Sequence, residues 1–304
     1  MKFSVFQLSR KGGRETNQDR VGYSYTRNAG FFLLADGLGG HPEGEVASQM
    51  ALQTMTAMFQ SDSKNGIDDV HAFLADAIKV ANHKILRYAA SKGMADSPRT
   101  TLVAALIQEG GVSWIHCGDS RLYLVRNGEL LAKTRDHSYL EQKQGVQSNG
   151  KPELTVNRNF LYSCLGSPVP PVFEITGPVG LKEGDKILLC SDGLWGSLSD
   201  VEIVYELGLK PVSDAVPDLI DRALTKAGSS SDNVTAIALE WETPDVFEAT
   251  RSSISTEAIK EGVFASTVQA SGFETLSDDL NDEEIERSIA EINEAIRRSS
   301  AKKK

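Results

Sequence analysis

Apolar and polar positions along this chain follow two periods, which switch at short polar or glycine-rich joints. Residues 2–8 and 19–26 read as strands. In the second, Val21, Tyr23 and Tyr25 alternate with smaller or polar residues, the period of a half-buried strand. Residues 30–35 are a continuous apolar run, as expected of a buried strand. The pattern then turns helical over about 42–60, where Pro42, Glu43 and Glu45 suit a first turn, with proline early and acids at the positive end of the dipole. A second helix is expected over about 67–91, with Val70, Phe73, Ala77, Ala81, Ile85 and Tyr88 at three- and four-residue spacing. His71 and His83 on that helix have no partner at ligand spacing and read as surface or packing residues.

From Thr100 the period returns to two. Runs 101–107 and 111–117 are joined by Glu-Gly-Gly, a third run covers 121–126, and Asn127-Gly128 marks a tight hairpin, so this half predicts an antiparallel meander. Residues 137–171 are polar, with Gly145, Gly150, Gly166 and prolines from Pro168 on, and read as a short helix and a mobile flap. A strand from Gly184 runs into Asp192-Gly193, helices follow over about 199–207 and 213–227, and a strand starting at Asp232 closes the body. The expected organisation is one domain over 1–242, a Ser/Thr-rich linker over 243–280, and an amphipathic tail helix over 281–300. In the tail Ile285, Ile289, Ile292 and Ile296 form a stripe, with acids leading and Arg297, Arg298 and three lysines ending it. Such a helix docks back on its own body, self-associates, or enters a partner groove.

Composition narrows the function classes. Of 304 residues, 40% are hydrophobic and 24% charged, ordinary for a soluble globular chain. The net charge of −10, with no basic stripe, argues against nucleic acid as the main partner. The segment from Thr243 on, with 13 acids and 8 bases, carries half of that excess. No run approaches the length of a membrane span, and the first residues lack a signal-peptide core. Cys117, Cys164 and Cys190 do not make an even disulfide set, which fits a reducing cytoplasm.

Five aspartates share one setting, a strand end beside small residues: Asp19, Asp36, Asp119, Asp192 and Asp232. Singly, each is a turn former. Gathered at one edge they would make a carboxylate cluster that requires cations to stay ionised. Hard oxygen donors without a Cys/His set favour Mg²⁺ or Mn²⁺ over zinc, and two such ions form a hydrolytic centre for phosphate esters.

The motifs Arg14-x-x-Asn-x-Asp19, Ala35-Asp-Gly-x-Gly-Gly-His-x-x-Gly-x-x-Ala-Ser48, Thr100-Thr101, Cys117-Gly-Asp-Ser-Arg121, Asp136-His-Ser138, Leu165-Gly166, Ser191-Asp-Gly-Leu194 and Asp232-Asn233 stand in order across residues 1–241. In order and spacing they resemble the metal-dependent protein phosphatases of the protein phosphatase 2C family, bacterial type. The resemblance implies an α+β fold, a four-layer α-β-β-α sandwich of two antiparallel sheets flanked by helices, with Mn²⁺ or Mg²⁺ in a cleft at one end. It implies that Asp36 bridges two ions with the Gly37 carbonyl as a further ligand, that Asp192 and Asp232 hold the second ion, and that Asp19 holds metal-bound waters. Asp119 with Asp192 would serve a third ion, and Arg14 would grip the phosphate. The implied reaction is one-step hydrolysis of phosphoserine and phosphothreonine in proteins by a metal-bridged hydroxide. The implied partners are phosphoproteins, with a cognate Ser/Thr kinase or its substrates among them.

The chain departs from the family pattern at Gln18, where glutamate is frequent, at Leu38, where some members carry a histidine proposed as the leaving-group acid, and at Arg99, where glycine is usual. His41 is then the candidate acid, with a capping or packing role as its alternative, and His137 reads as a structural or capping residue. Two other functions compete. A pseudophosphatase that binds a kinase or phosphoprotein is disfavoured by the intact aspartates; a two-metal enzyme for small phosphate esters lacks a base- or sugar-binding signature.

Overall fold

The structure is a computed structural model that describes residues 1–64, 66–139, 141, 160–242, 253–256 and 265–268. Its strands are β1 (Lys2–Arg10), β2 (Asp19–Tyr25), β3 (Ala29–Asp36), β4 (Leu102–Gln108), β5 (Gly111–Cys117), β6 (Arg121–Arg126), β7 (Glu129–Lys133), β8 (Glu174–Gly180), β9 (Lys186–Cys190), β10 (Val234–Glu242), β11 (Ser253–Ser255) and β12 (Ala265–Ser266). The described helices are α1 (Gly44–Asp62), α2 (Val70–Ser91), α3 (Asp192–Trp195), α4 (Asp200–Leu209) and α5 (Val212–Ala227).

The strands form two antiparallel six-stranded sheets, one in the order β11-β1-β10-β9-β6-β7 and the other β12-β2-β3-β4-β5-β8. Strand β3 explains the layering. Phe31, Leu33 and Ala35 point to one face and pack with Ala47, Met55, Leu74 and Ile78 of α1 and α2. Phe32 and Leu34 point to the other face and meet Phe3, Leu122, Leu189 and Ile237 between the sheets. A strand covered on both faces has no polar side, hence its unbroken apolar run. Tyr123, Leu188 and Ala236, on the outer face of the first sheet, are covered by Leu207, Val216, Leu219 and Ile220 of α4 and α5. The four-layer α-β-β-α sandwich is therefore as the sequence implied.

Helix starts follow local chemistry. The Asp69 side chain accepts from the Ala72 amide at the start of α2, and Ser199 with Glu202 forms a reciprocal capping box at α4. Helix α1 begins two residues later than expected, because Glu43 takes a left-handed conformation (φ 50°) and Pro42 stays in the preceding turn.

Three expectations are corrected. The run from Thr101 to Lys133 is not one meander: β4–β5 and β6–β7 lie in different sheets, and the chain crosses between them at Gly118-Asp119-Ser120. Strand β8 had no expected counterpart, since it is an edge strand of low hydrophobicity interrupted by Gly177 and Pro178. Within the expected linker, residues 253–255 pair with β1 and residues 265–266 with β2, so these two short stretches each add an edge strand to one sheet. Thr256 fixes the first contact, its hydroxyl donating to the Arg27 carbonyl (2.8 Å) and its amide to the Met1 carbonyl (3.0 Å). The greater part of the expected flap, 140 and 142–159, and the whole expected tail helix, 281–300, lie outside the described residues.

Candidate metal and phosphate site

One register pair begins the site. Strands β2 and β3 pair with Asp19 directly opposite Asp36, which sets two carboxylates side by side on one sheet, some 5 Å apart at Cβ. Asp192 follows the end of β9 and Asp232 precedes β10, its antiparallel neighbour. Asp119 sits in the crossover after β5. All of these ends fall on one side of the sandwich. Asp36, Asp119, Asp192 and Asp232 line a single cavity of about 400 Å³ with Arg14, Gln18, Gly37 and Leu161. Asp19 lies just behind, 3% exposed.

Backbone geometry holds Asp36 in place. The Thr101 amide (2.8 Å) and the Thr100 hydroxyl (2.8 Å) both donate to its carbonyl, and its own amide donates to Thr101 Oγ1 (3.1 Å). Gly37 must be glycine, since a Cβ there would stand 2.4 Å from the Gly44 carbonyl oxygen at the start of α1. Gly193 is under the same constraint, a Cβ meeting the Asn233 carbonyl oxygen at 2.1 Å. That close approach seats the Asp192 turn against the Asp232 turn. Asn233 ties the far loop in: its side-chain amide donates to the Lys11 and Thr16 carbonyls (2.8 and 2.9 Å), and its Oδ1 accepts from the Gln18 amide (2.8 Å).

The electrostatics are those of a site built around positive charge. Burial, then the charges of Asp19, Asp192 and Asp119, push the Asp36 carboxyl well above the usual carboxylate range. Asp19 is also raised, chiefly by burial, although Ser191 Oγ donates to its Oδ2 at 2.8 Å. Its Oδ1 is buried without a hydrogen-bond partner. Crowded carboxylates, an unpartnered buried oxygen and an all-oxygen donor set suit a hard divalent cation. The residues present therefore fit Mn²⁺ or Mg²⁺. The thiols do not compete: burial pushes Cys117 up to about 12 and Cys164 to about 11, and all three cysteines are buried and free.

Arg14 is on the rim, and its guanidinium makes a two-pronged contact with Asp232 (2.8 and 2.6 Å). His41 does not line the cavity; its Nδ1 lies 2.7 Å from Asp96 Oδ2, and Arg99 binds the other oxygen of that carboxylate at 3.0 Å. The departure at Arg99 thus has a local partner. Gln18 donates to Glu45 Oε2 (3.1 Å), a contact that a second carboxylate at position 18 could not make.

Two supporting groups were not legible in the sequence as a set. Arg121 forks onto Asp136 (2.8 Å twice) and stacks 3.6 Å over the Trp195 ring, and the Trp195 indole N–H donates to the Asp119 carbonyl (2.9 Å). This joins the Asp119 turn to the base of the flap. His116, His137 and Glu174 gather ligand-type atoms within 4.8 Å. His116 Nε2 lies against the Arg135 carbonyl (2.8 Å), while the Gly118 amide donates to His137 Nδ1 (3.2 Å). In the neutral rings these contacts place a lone pair on His116 Nδ1 and a hydrogen on His137 Nε2. Both of those atoms are buried without a hydrogen-bond partner, and His137 Nε2 lies 3.9 Å from a Glu174 carboxylate oxygen. His83, with 5% exposure, is a packing residue of α2.

Comparison with known proteins agrees with this architecture. The family model described as protein phosphatase 2C matches residues 9–225. The chain is 33% identical over 230 residues to the serine/threonine protein phosphatase PstP of Mycobacterium tuberculosis, 75% of this chain but 42% of that protein, so it spans about two fifths of that relative's length. It is 31% identical over 242 residues to the serine/threonine phosphatase stp of Listeria monocytogenes, covering 77% of this chain and 94% of that one. Among solved structures, the PstP catalytic domain in complex with two manganese ions superposes with a TM-score of 0.65 at 30% identity, covering 80% of this chain and 99% of that one. Stp1 from Staphylococcus aureus gives 0.67 at 28% identity, covering 79% and 95%. With most of the body matched by the family model and the same sandwich in both structures, this chain belongs to the protein phosphatase 2C family.

Proposed function

We propose that this protein is a Mn²⁺- or Mg²⁺-dependent phosphatase that hydrolyses phosphoserine and phosphothreonine in proteins. The observation that carries the reading is the Asp19–Asp36 register pair with Asp119, Asp192 and Asp232 at the same sheet ends. Asp36 and the Gly37 carbonyl would hold the first ion, Asp36, Asp192 and Asp232 the second, and Asp119 with Asp192 a third; Asp19 supports the set from behind. Bound there, the ions supply Lewis-acid stabilisation of phosphoryl charge and a nucleophile at neutral pH.

The chain's own groups do the rest. Arg14 presents a planar fork that matches two phosphoryl oxygens as well as it matches the Asp232 carboxylate, so substrate and Asp232 compete for it. Thr100 and Thr101 fix the Asp36 backbone, so the carboxylate does not need to be ordered on binding. His41 is the candidate donor of a proton to the departing serine or threonine oxygen. Its Nδ1 is occupied by Asp96, which leaves Nε2 as the nitrogen able to give the proton, through solvent, since the ring stands outside the cavity wall. Removing His41 should lower kcat for alkyl phosphates more than for aryl phosphates, whose leaving groups need no acid.

Phosphoproteins are the substrate class, with a cognate Ser/Thr kinase or its targets among them, and the cytoplasm is the compartment. Among the described residues no helix is long and apolar enough to cross a membrane. The deciding experiment is phosphate release from a phosphothreonine peptide with Mn²⁺, with and without chelator, beside Asp36→Asn. Metal-dependent turnover lost in the variant is expected; absence of any metal-dependent turnover sinks the enzyme reading.

A further inference from the structure

Helix α4 is apolar on two sides. Ile203 and Leu207 face the core, while Val201, Tyr205 and Leu209 are 78%, 62% and 62% exposed. Their i, i+4, i+8 spacing makes one stripe, about 12 Å long and turned some 150° from the buried face. Leu130 on β7, 42% exposed, pairs with Val125, whose side chain belongs to the cluster under α4 and α5, so Leu130 extends the same side of the sheet. A helix with a second apolar stripe, beside an exposed leucine on the adjoining edge strand, marks a contact surface rather than scattered exposure.

We propose that the occupant of this stripe is the chain's own C-terminal segment, with Ile285, Ile289, Ile292 and Ile296 laid antiparallel against α4. Three observations select it. Its isoleucines recur at four, three and four residues, a spacing that in helical form would make a stripe of about 16 Å, slightly longer than that of α4.

The tether also fits. Described chain ends at Val268 beside β12, on the β2 edge, and α4 covers the sheet end at β6 and β7. Four strand spacings separate β1 from β7, and since Val268 packs on the α1/α2 face, the way to α4 crosses two layer spacings of about 10 Å, a span of roughly 30 Å. The seventeen residues from Val268 to Ile285 have a coil dimension of about 23 Å, so the segment is held near the stripe at high effective concentration.

Charge gives the direction. Helix α4 runs from Asp200 and Glu202 to Lys210, and the tail runs from Asp282, Glu283 and Glu284 to Arg297 and Arg298. Antiparallel seating opposes unlike signs and opposes the helix dipoles at both ends. Asp200 and Lys210 already hold partners in Lys133 and Asp218, so these charges set orientation more than affinity.

Disulfide trapping in the full chain tests this. The pair Val201→Cys/Ile296→Cys should close within one molecule, independently of protein concentration. It should do so at least tenfold faster than Val201→Cys/Ile285→Cys or a control pair, Lys79→Cys/Ile296→Cys, that uses an exposed site on α2. The native cysteines are buried and leave the trap undisturbed. Adding Tyr205→Glu should slow the first pair severalfold. Equal rates for the three pairs, a faster 201–285 pair, no effect of Tyr205→Glu, or disulfides only between chains, which would make a second copy the occupant, each overturn the proposal.

Discussion

Substituting Asp36 by asparagine should stabilise the metal-free protein while abolishing its response to metal. Asp36 faces Asp19 across the β2–β3 pair and is pushed toward its neutral form by burial and by Asp19, Asp192 and Asp119. Two unit charges about 5 Å apart at an effective dielectric of 20 repel by about 3 kcal/mol. Asp36 opens onto the cleft and can share a proton with Asp19, so a gain of about 1–3 kcal/mol is the reasonable range. The replacing amide also offers a hydrogen to the unpartnered Asp19 Oδ1. For a domain of this size that is roughly 3–9 °C in Tm. The assay is thermal unfolding at pH 7 in chelator and then in excess Mn²⁺. Wild type should gain about 3 kcal/mol at a hundredfold excess over Kd, and the variant far less. The sign with pH follows from linkage. A carboxyl with a raised folded pKa binds its proton more readily folded than unfolded, so wild-type stability falls as pH rises through that window. The advantage of the variant should therefore shrink on acidification from pH 7. A variant less stable than wild type in chelator, or equal Mn²⁺ stabilisation of both, would refute the reasoning.

Other substitutions probe the surroundings. Arg14→Ala should raise KM for a phosphopeptide at least tenfold while moving stability in chelator by less than about 1 kcal/mol, because its pair with Asp232 is exposed; steady-state kinetics beside urea unfolding checks both. Arg121→Met strands the nearly buried Asp136 and removes the cover from Trp195, and should cost about 3–5 kcal/mol by urea unfolding, with little rescue by Arg121→Lys, which cannot fork. Burial and the neighbouring His116 ring hold His137 down to about 4, so its neutral form contributes stability that is complete above about 6.5 and lost as pH falls toward 4, up to about 3 kcal/mol. His137→Gln should flatten that part of the stability-versus-pH curve in urea unfolding at pH 7 and 4.5, and an unchanged slope would assign it to other groups.

What could be read from the chain alone is what short-range physics writes into it. Side-chain period marked β2, α2 and the unbroken run of β3, and Asn127-Gly128 marked the β6–β7 turn. The five aspartates stood out because a carboxylate at a strand end beside glycine is a local pattern, and the order of the motifs carried the family. Other features depend on segments far apart in sequence. That Asp19 faces Asp36, that β5 and β6 belong to different sheets, and that β8 exists at all follow from register and from which faces find cover. Arg14 meets Asp232 and His116 stacks near His137 only because sheet closure brings residues 218 and 21 positions apart within reach. Local preference sets the elements and their chemistry, whereas burial of both sheet faces selects one pairing among many, and that selection decides which carboxylates share a site.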